Sequence, residues 1–100
     1  MRREQAIEKI RRVERELRAL GVGGAALFGS VARGDNSQMS DIDIALSPAS
    51  GMPVSALTLL SIHGVLGDEF GYVAPLDVVV LPARDPGLNA AIDREGVRAF

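Results

Sequence analysis

Residues 41–46, DIDIAL, alternate acid and aliphatic before Pro48 ends the run. A period of two is the signature of a β-strand with one face buried and one face wet. It sends Ile42, Ile44 and Leu46 to one side and Asp41, Asp43 and Ala45 to the other. A chain with this segment must seal the aliphatic face under other elements, while the two carboxylates opposite are either simply solvated on an exposed strand face or put to use. Unpaired, such carboxylates repel and each raises the other's pKa. A hard cation between them relieves that repulsion, and oxygen-only ligands suit Mg²⁺ or Mn²⁺.

The rest of the chain supplies covering elements. Ile7, Ile10, Val13, Leu17 and Leu20 recur at spacings of three and four, which predicts one amphipathic helix, stopped by Gly21, Gly23 and Gly24. AALF (25–28) is too brief for a helix and reads as a buried strand. Residues 29–40 are polar, with room for one helical turn at Ser30–Arg33. Pro53 suits a first helical position, and Val54, Leu57, Leu60, Leu66 and Phe70 continue an unusually apolar helix, expected to pack on more than one side before Gly71 closes it. LDVVVL (76–81), bounded by Pro75 and Pro82, is the strongest strand pattern. Asp85 and Pro86 cap a last helix through Leu88, Ala91, Ile92 and Val97. The order predicts a small α/β sheet with helices packed mainly on the Ile42/Ile44 face, leaving the aspartate face for chemistry.

One hundred residues, 47% hydrophobic and 24% charged, suit a single domain over 1–100 with little room for a second substrate-binding unit. Without cysteine, and with His63 as the sole histidine, thiolate and histidine metal clusters are excluded; His63 itself reads as a core histidine. No run of about eighteen apolar residues is present and the N-terminus lacks a signal-peptide core, so the expected location is cytoplasmic, with no membrane contact. Residues 1–20 carry +3 and the other eighty −5. With only four aromatic residues, that balance favours a solvated helix face, with pairs such as Glu8–Arg12 and Glu14–Arg18, over a nucleic-acid surface.

Asp77 strengthens the metal reading. An aspartate inside LDVVVL is either a solvated acid at a strand edge or, as the apolar run favours, a carboxylate that needs a partner, because burying a lone carboxylate is costly. If 41–46 and 76–81 lie side by side, a third carboxylate joins the other two. Gly29-Ser30 adds an oxyanion cradle: glycine permits close approach, backbone N–H groups face outward at the turn, and the hydroxyl donates once more. Arg33, one turn later, has a fork suited to phosphate, or is an ordinary surface arginine.

Gly29-Ser30, ten intervening residues, Asp41-Ile42-Asp43 and the later Asp77 resemble the nucleotidyltransferase superfamily that includes DNA polymerase β. GSVARG, SDIDIAL and the short length look most like the minimal nucleotidyltransferases, the MntA-like antitoxin partners of HEPN toxins. The resemblance implies a polymerase β-like fold, a small mixed sheet. It also implies Gly29 and Ser30 on the β and γ phosphates of ATP, two Mg²⁺ ions (or Mn²⁺) on Asp41 and Asp43, and Asp77 on the catalytic metal, helping to activate the acceptor hydroxyl. The implied reaction is transfer of AMP to a tyrosine of a HEPN-type toxin. A binding-only antitoxin and an aminoglycoside-type transferase are the alternatives; the latter lacks its usual appended domain. Phosphohydrolases and glycosyltransferases with a D-x-D motif place the acids after the apolar strand, whereas here they precede it.

Overall fold

A computed structural model describes residues 1–37, 40–51 and 54–100. Two helices open the chain, α1 (Arg3–Arg12) and α2 (Glu14–Ala19), followed by β1 (Val22–Phe28), the one-turn helix α3 (Gly29–Arg33) and β2 (Ile42–Pro48). Then come α4 (Ala56–Phe70), β3 (Leu76–Val80), α5 (Pro86–Glu95) and the short β4 (Val97–Arg98). The four strands form one mixed sheet in the order β3-β2-β1-β4. β1 runs antiparallel to β2 and β4, while β2 and β3 are parallel.

The alternation in β2 is realised as read. Ile42, Ile44 and Leu46 are fully buried, joined by Leu27 of β1 and covered by Ile10, Leu17, Ile62, Leu66 and Phe70. Burying such a side chain contributes about 1.5–3 kcal/mol, so this face carries most of the stability. The predicted N-terminal helix is two helices. At Val13 the amide bonds to the Ile10 carbonyl, a tighter i→i−3 step, yet Ile10, Val13 and Leu17 stay in the core. Periodicity reads the buried stripe and is blind to a local tightening that keeps it. The Glu8–Arg12 and Glu14–Arg18 pairs both form, at 3.1 and 2.7 Å.

The first strand starts earlier than AALF. Gly23 and Gly24 lie within β1, and a Cβ on Gly23 would stand 3.0 Å from the Ala49 Cα. Close backbone approach at a bulged strand end, not helix termination, explains them. Gly21 alone, at φ +96°, ends α2 in the left-handed region.

α4 begins at Ala56, with the Ser55 hydroxyl accepting from the Thr58 amide at 3.1 Å; the expected start at Pro53 lies outside the described residues. Ile62, Leu66 and Phe70 face the core, but Leu57 and Leu60 are 78% and 69% exposed, so this helix packs on one side only. His63 is half-buried at its margin. Where apolar residues surround a helix, composition does not say which stripe is used.

The last helix is shorter than expected. Asp85 caps it through the Gly87 amide at 2.8 Å, but Gly96 turns extended and Val97 joins β4 against Leu27. A two-residue strand carries no readable period. α5 also changes the picture of the second sheet face: Ile92, with Leu88 beside it, packs on Phe28, Ala45 and Val79. The helices are mainly on one face, as expected, but the aspartate face is not wholly bare. Among the described residues, no helix is long and apolar enough to cross a membrane.

Candidate functional site

The site forms where three chain segments meet at one end of the sheet. In the antiparallel register of β1 and β2, Phe28 stands opposite Asp43; in the parallel register of β2 and β3, Asp43 stands opposite Asp77. The chain leaving Phe28 turns at once through Gly29, at φ +73°. That turn brings the Gly29 backbone against the Asp43 side chain so closely that a Cβ would collide with the carboxylate. Glycine is therefore required twice, for its left-handed backbone and for the space. α3 follows, burying Val31 and Ala32 and ending at Gly34 in the left-handed region. The amides of Gly34 and Asp35 both return to the Ser30 carbonyl, at 2.9 and 3.1 Å.

Gly29, Ser30, Asp43 and Asp77 are thus gathered by three adjacent strand ends. Asp41 lies just before β2, exposed, where the Ile42 amide bonds to the Pro75 carbonyl at 2.9 Å and ties the starts of β2 and β3 together. Asp43 is half-buried, and its pKa is pushed up to about 6. Burial is the largest cause, followed by the charges of Asp77 and Asp41 and a hydrogen bond with Asp77; the Arg33 charge acts in the opposite direction. A nearby cation would favour the charged form of such a carboxylate.

Asp77 reaches this position by a different route from the one its sequence suggests. It is exposed, and β3 is an edge strand, so burial does not demand a partner for it. LDVVVL reads as a central strand because β-branched residues suit any pleated, half-buried surface, an edge included. What singles Asp77 out is its register opposite Asp43.

Among the described residues, no three side chains close into a ready metal cage. The donor chemistry nevertheless fits a hard divalent ion: carboxylate oxygens only, two in register on neighbouring strands, and mutual repulsion that a cation would cancel.

Arg33 does not stand free. Its Nε donates to Asp35 Oδ2 at 3.1 Å and its Nη1 to Glu95 Oε2 at 3.0 Å, joining α3 to the end of α5. Glu95 was not singled out by any sequence feature. It lies 62 residues from Arg33, and nothing local to it signals the contact.

Comparison with known proteins agrees with this fold. In structure, the chain resembles a chain of a toxin–antitoxin complex crystallised with AMP-PNP, at TM-score 0.74 and 23% identity over 94% of this chain and 72% of that one. It also resembles a chain in the complex of tri-AMPylated Shewanella oneidensis HEPN toxin with MNT antitoxin, at TM-score 0.69 and 19% identity over 98% and 71% of the two chains. A mutant of the toxin–antitoxin pair MntA–HpeT gives TM-score 0.69 at 18% identity, over 100% and 73%. These identities establish a shared fold. No curated protein matches the chain in sequence. The nucleotidyltransferase domain family matches residues 8–74, a span that includes Gly29, Ser30, Asp41 and Asp43 and stops just short of Asp77. With two-thirds of its length accounted for, the chain belongs to the nucleotidyltransferase domain family.

Proposed function

We propose that the protein transfers AMP from ATP to a hydroxyl group, that the acceptor is a tyrosine of a HEPN-type toxin, and that the transfer makes it an antitoxin working in the cytoplasm. The observation that carries this reading is the register placing Asp43 beside both Asp77 and Gly29. Residues 1–100 then act as a single minimal nucleotidyltransferase domain. The MNT–HEPN complex with its AMPylated toxin is a neighbour in fold and gives the reading its partner.

In this mechanism the Gly29-Ser30 backbone and the Ser30 hydroxyl receive the β and γ phosphates, where glycine lets the oxyanion come close. Asp41 and Asp43 would hold the divalent ions, and Asp77 would complete the ligand set on the acceptor side. Two Mg²⁺ ions, when bound, supply charge to the attacking and leaving oxygens of an in-line displacement. The acceptor oxygen bonds to the α-phosphorus, the bond to the bridging oxygen of the β-phosphate breaks, and pyrophosphate leaves. The carboxylate of Asp77 orients the acceptor hydroxyl and takes up its proton. Positioning supplies much of the rate, and a docked partner provides both the hydroxyl and a wall over the exposed Asp77.

Incubation with labelled ATP, Mg²⁺ and a HEPN-type partner, followed by mass spectrometry, tests the proposal. Label on a partner tyrosine, lost with Asp41→Asn, is expected. A tight complex without label, whose toxin-blocking power survives Asp41→Asn and Asp77→Asn, would establish the binding-only antitoxin instead. The exposed Leu57 and Leu60 of α4 offer that alternative an apolar surface. Label on the protein's own Tyr72 would show a reaction that needs no partner.

A further inference from the structure

Arg33 has the side chain for gripping phosphate, but its Nε and Nη1 are already engaged by carboxylates. We infer that Arg33 is a positioning residue: held between Asp35 and Glu95, it pins α3 to α5 and so fixes Gly29 and Ser30 against Asp43. The inference rests on the nucleotidyl-transfer reading for its functional consequence, and on geometry for the clamp itself.

A helix of five residues does not sustain itself in water, since one turn barely passes the nucleation step. α3 keeps its shape through what holds it from outside. Val31 and Ala32 are buried beneath it, and Arg3 Nη1 donates to the Ala32 carbonyl at 3.1 Å. On the other side stands Arg33, which spends two different nitrogens on two carboxylates. Lysine has a point charge and no planar fork, so it does not reproduce this arrangement. The clamp also closes back on the site. The amide of Asp35 donates to the Ser30 carbonyl, so the residue that receives Arg33 from one side holds Ser30 from the other. Glu95 ends α5 one turn after Ile92, which packs on Phe28 and Ala45. α5 therefore meets this segment on both sides of Gly29, by an apolar contact at Phe28 and an ionic one at Arg33. A phosphate approaching the remaining N–H donors of Arg33 would meet the repulsion of the two carboxylates already paired with it.

The test is a double-mutant cycle of Arg33→Gln and Glu95→Gln, read by transfer kinetics and by amide hydrogen exchange at residues 30–35. Both single variants are expected to slow transfer by a similar factor, about three- to tenfold, with the double variant no worse than either. Exchange at the Gly34 and Asp35 amides should quicken in both, while amides of β2 remain protected. Arg33→Lys should restore only part of the loss. Direct phosphate binding by Arg33 would overturn the inference: Arg33→Gln would then weaken ATP binding at least tenfold while Glu95→Gln left it unchanged or tightened it. Uniformly faster exchange across the whole chain would also overturn it, by showing a general loss of stability. If the parent transfers no nucleotide to any acceptor, the functional reading falls, while the exchange data still judge the clamp.

Discussion

The two faces of the sheet differ in how their side chains meet solvent and charge. On one, Ile42, Ile44 and Leu46 are sealed beneath α1, α2 and α4. On the other, Ala45 and Val79 lie under α5 while Asp43 and Asp77, two residues earlier on the same strands, stand at the rim of that cover. The first face stabilises the fold and is chemically silent. The second holds carboxylates that repel each other, and the large core is what allows the fold to tolerate them. Stability and reactivity are thus separated by the period of one strand, residue against residue.

Substitution on the sealed face should produce the largest effect on stability. Ile44→Ala removes a fully buried side chain at the centre of the sheet and should cost about 3–4 kcal/mol in a denaturant melt. A loss below 1 kcal/mol would mean that the core is looser than its burial indicates.

Gly29→Ala comes next, at the corner joining the two faces. The left-handed backbone and the collision with Asp43 should together cost about 2–3 kcal/mol and abolish nucleotide transfer. Retained transfer in a folded variant would show that the close approach of Gly29 to Asp43 is dispensable.

On the acidic face the sign reverses. Asp43→Asn should leave metal-free stability unchanged or raise it by about 1–2 kcal/mol, a figure reduced for the solvent screening of a half-buried group. A loss of several kcal/mol would identify Asp43 as a structural hydrogen-bonding residue. The pH dependence follows from the same shift. The folded-state pKa of about 6 is raised above the ordinary 3.8, so the folded protein holds its proton longer than the unfolded chain does. Stability from this group is fully present below about pH 4 and is lost as pH rises through 6. Metal-free melts of the parent should fall across that window, and Asp43→Asn should flatten the fall. Mg²⁺ at neutral pH should raise the Tm of the parent more than that of the variant.

The smallest effect is expected outside both faces. Leu60→Ser on the solvent side of α4 should change stability by less than about 0.5 kcal/mol, since the side chain is already in water. If it instead weakens association with a HEPN-type partner, that surface is part of the docking site.

Much of the site was legible because its signals are local. The alternation of DIDIAL fixes which side chains share a face, and the glycine-serine turn after an apolar run announces a strand-to-helix corner. Asp77 reads as a candidate for a burial it does not have; its register beside Asp43 is a pairing between segments more than thirty residues apart. Arg33 reads as a phosphate ligand or a surface arginine, and its pairing with Glu95 is not legible because that partner lies far along the chain; Val97 reads as helix because two residues of strand carry no period.

By itself, the sequence determined the faces of β2, the Gly29-Ser30 turn, the caps at Asp85 and Gly71 and the acidic side of β2, all matters of neighbouring residues and backbone preference. Only the tertiary structure decided that β3 lies parallel to β2 at the sheet edge, that α5 covers part of the acidic face, and that Arg33 meets Glu95. Those choices follow from which distant surfaces best exclude water from one another, a competition over the whole chain that no short stretch of it records.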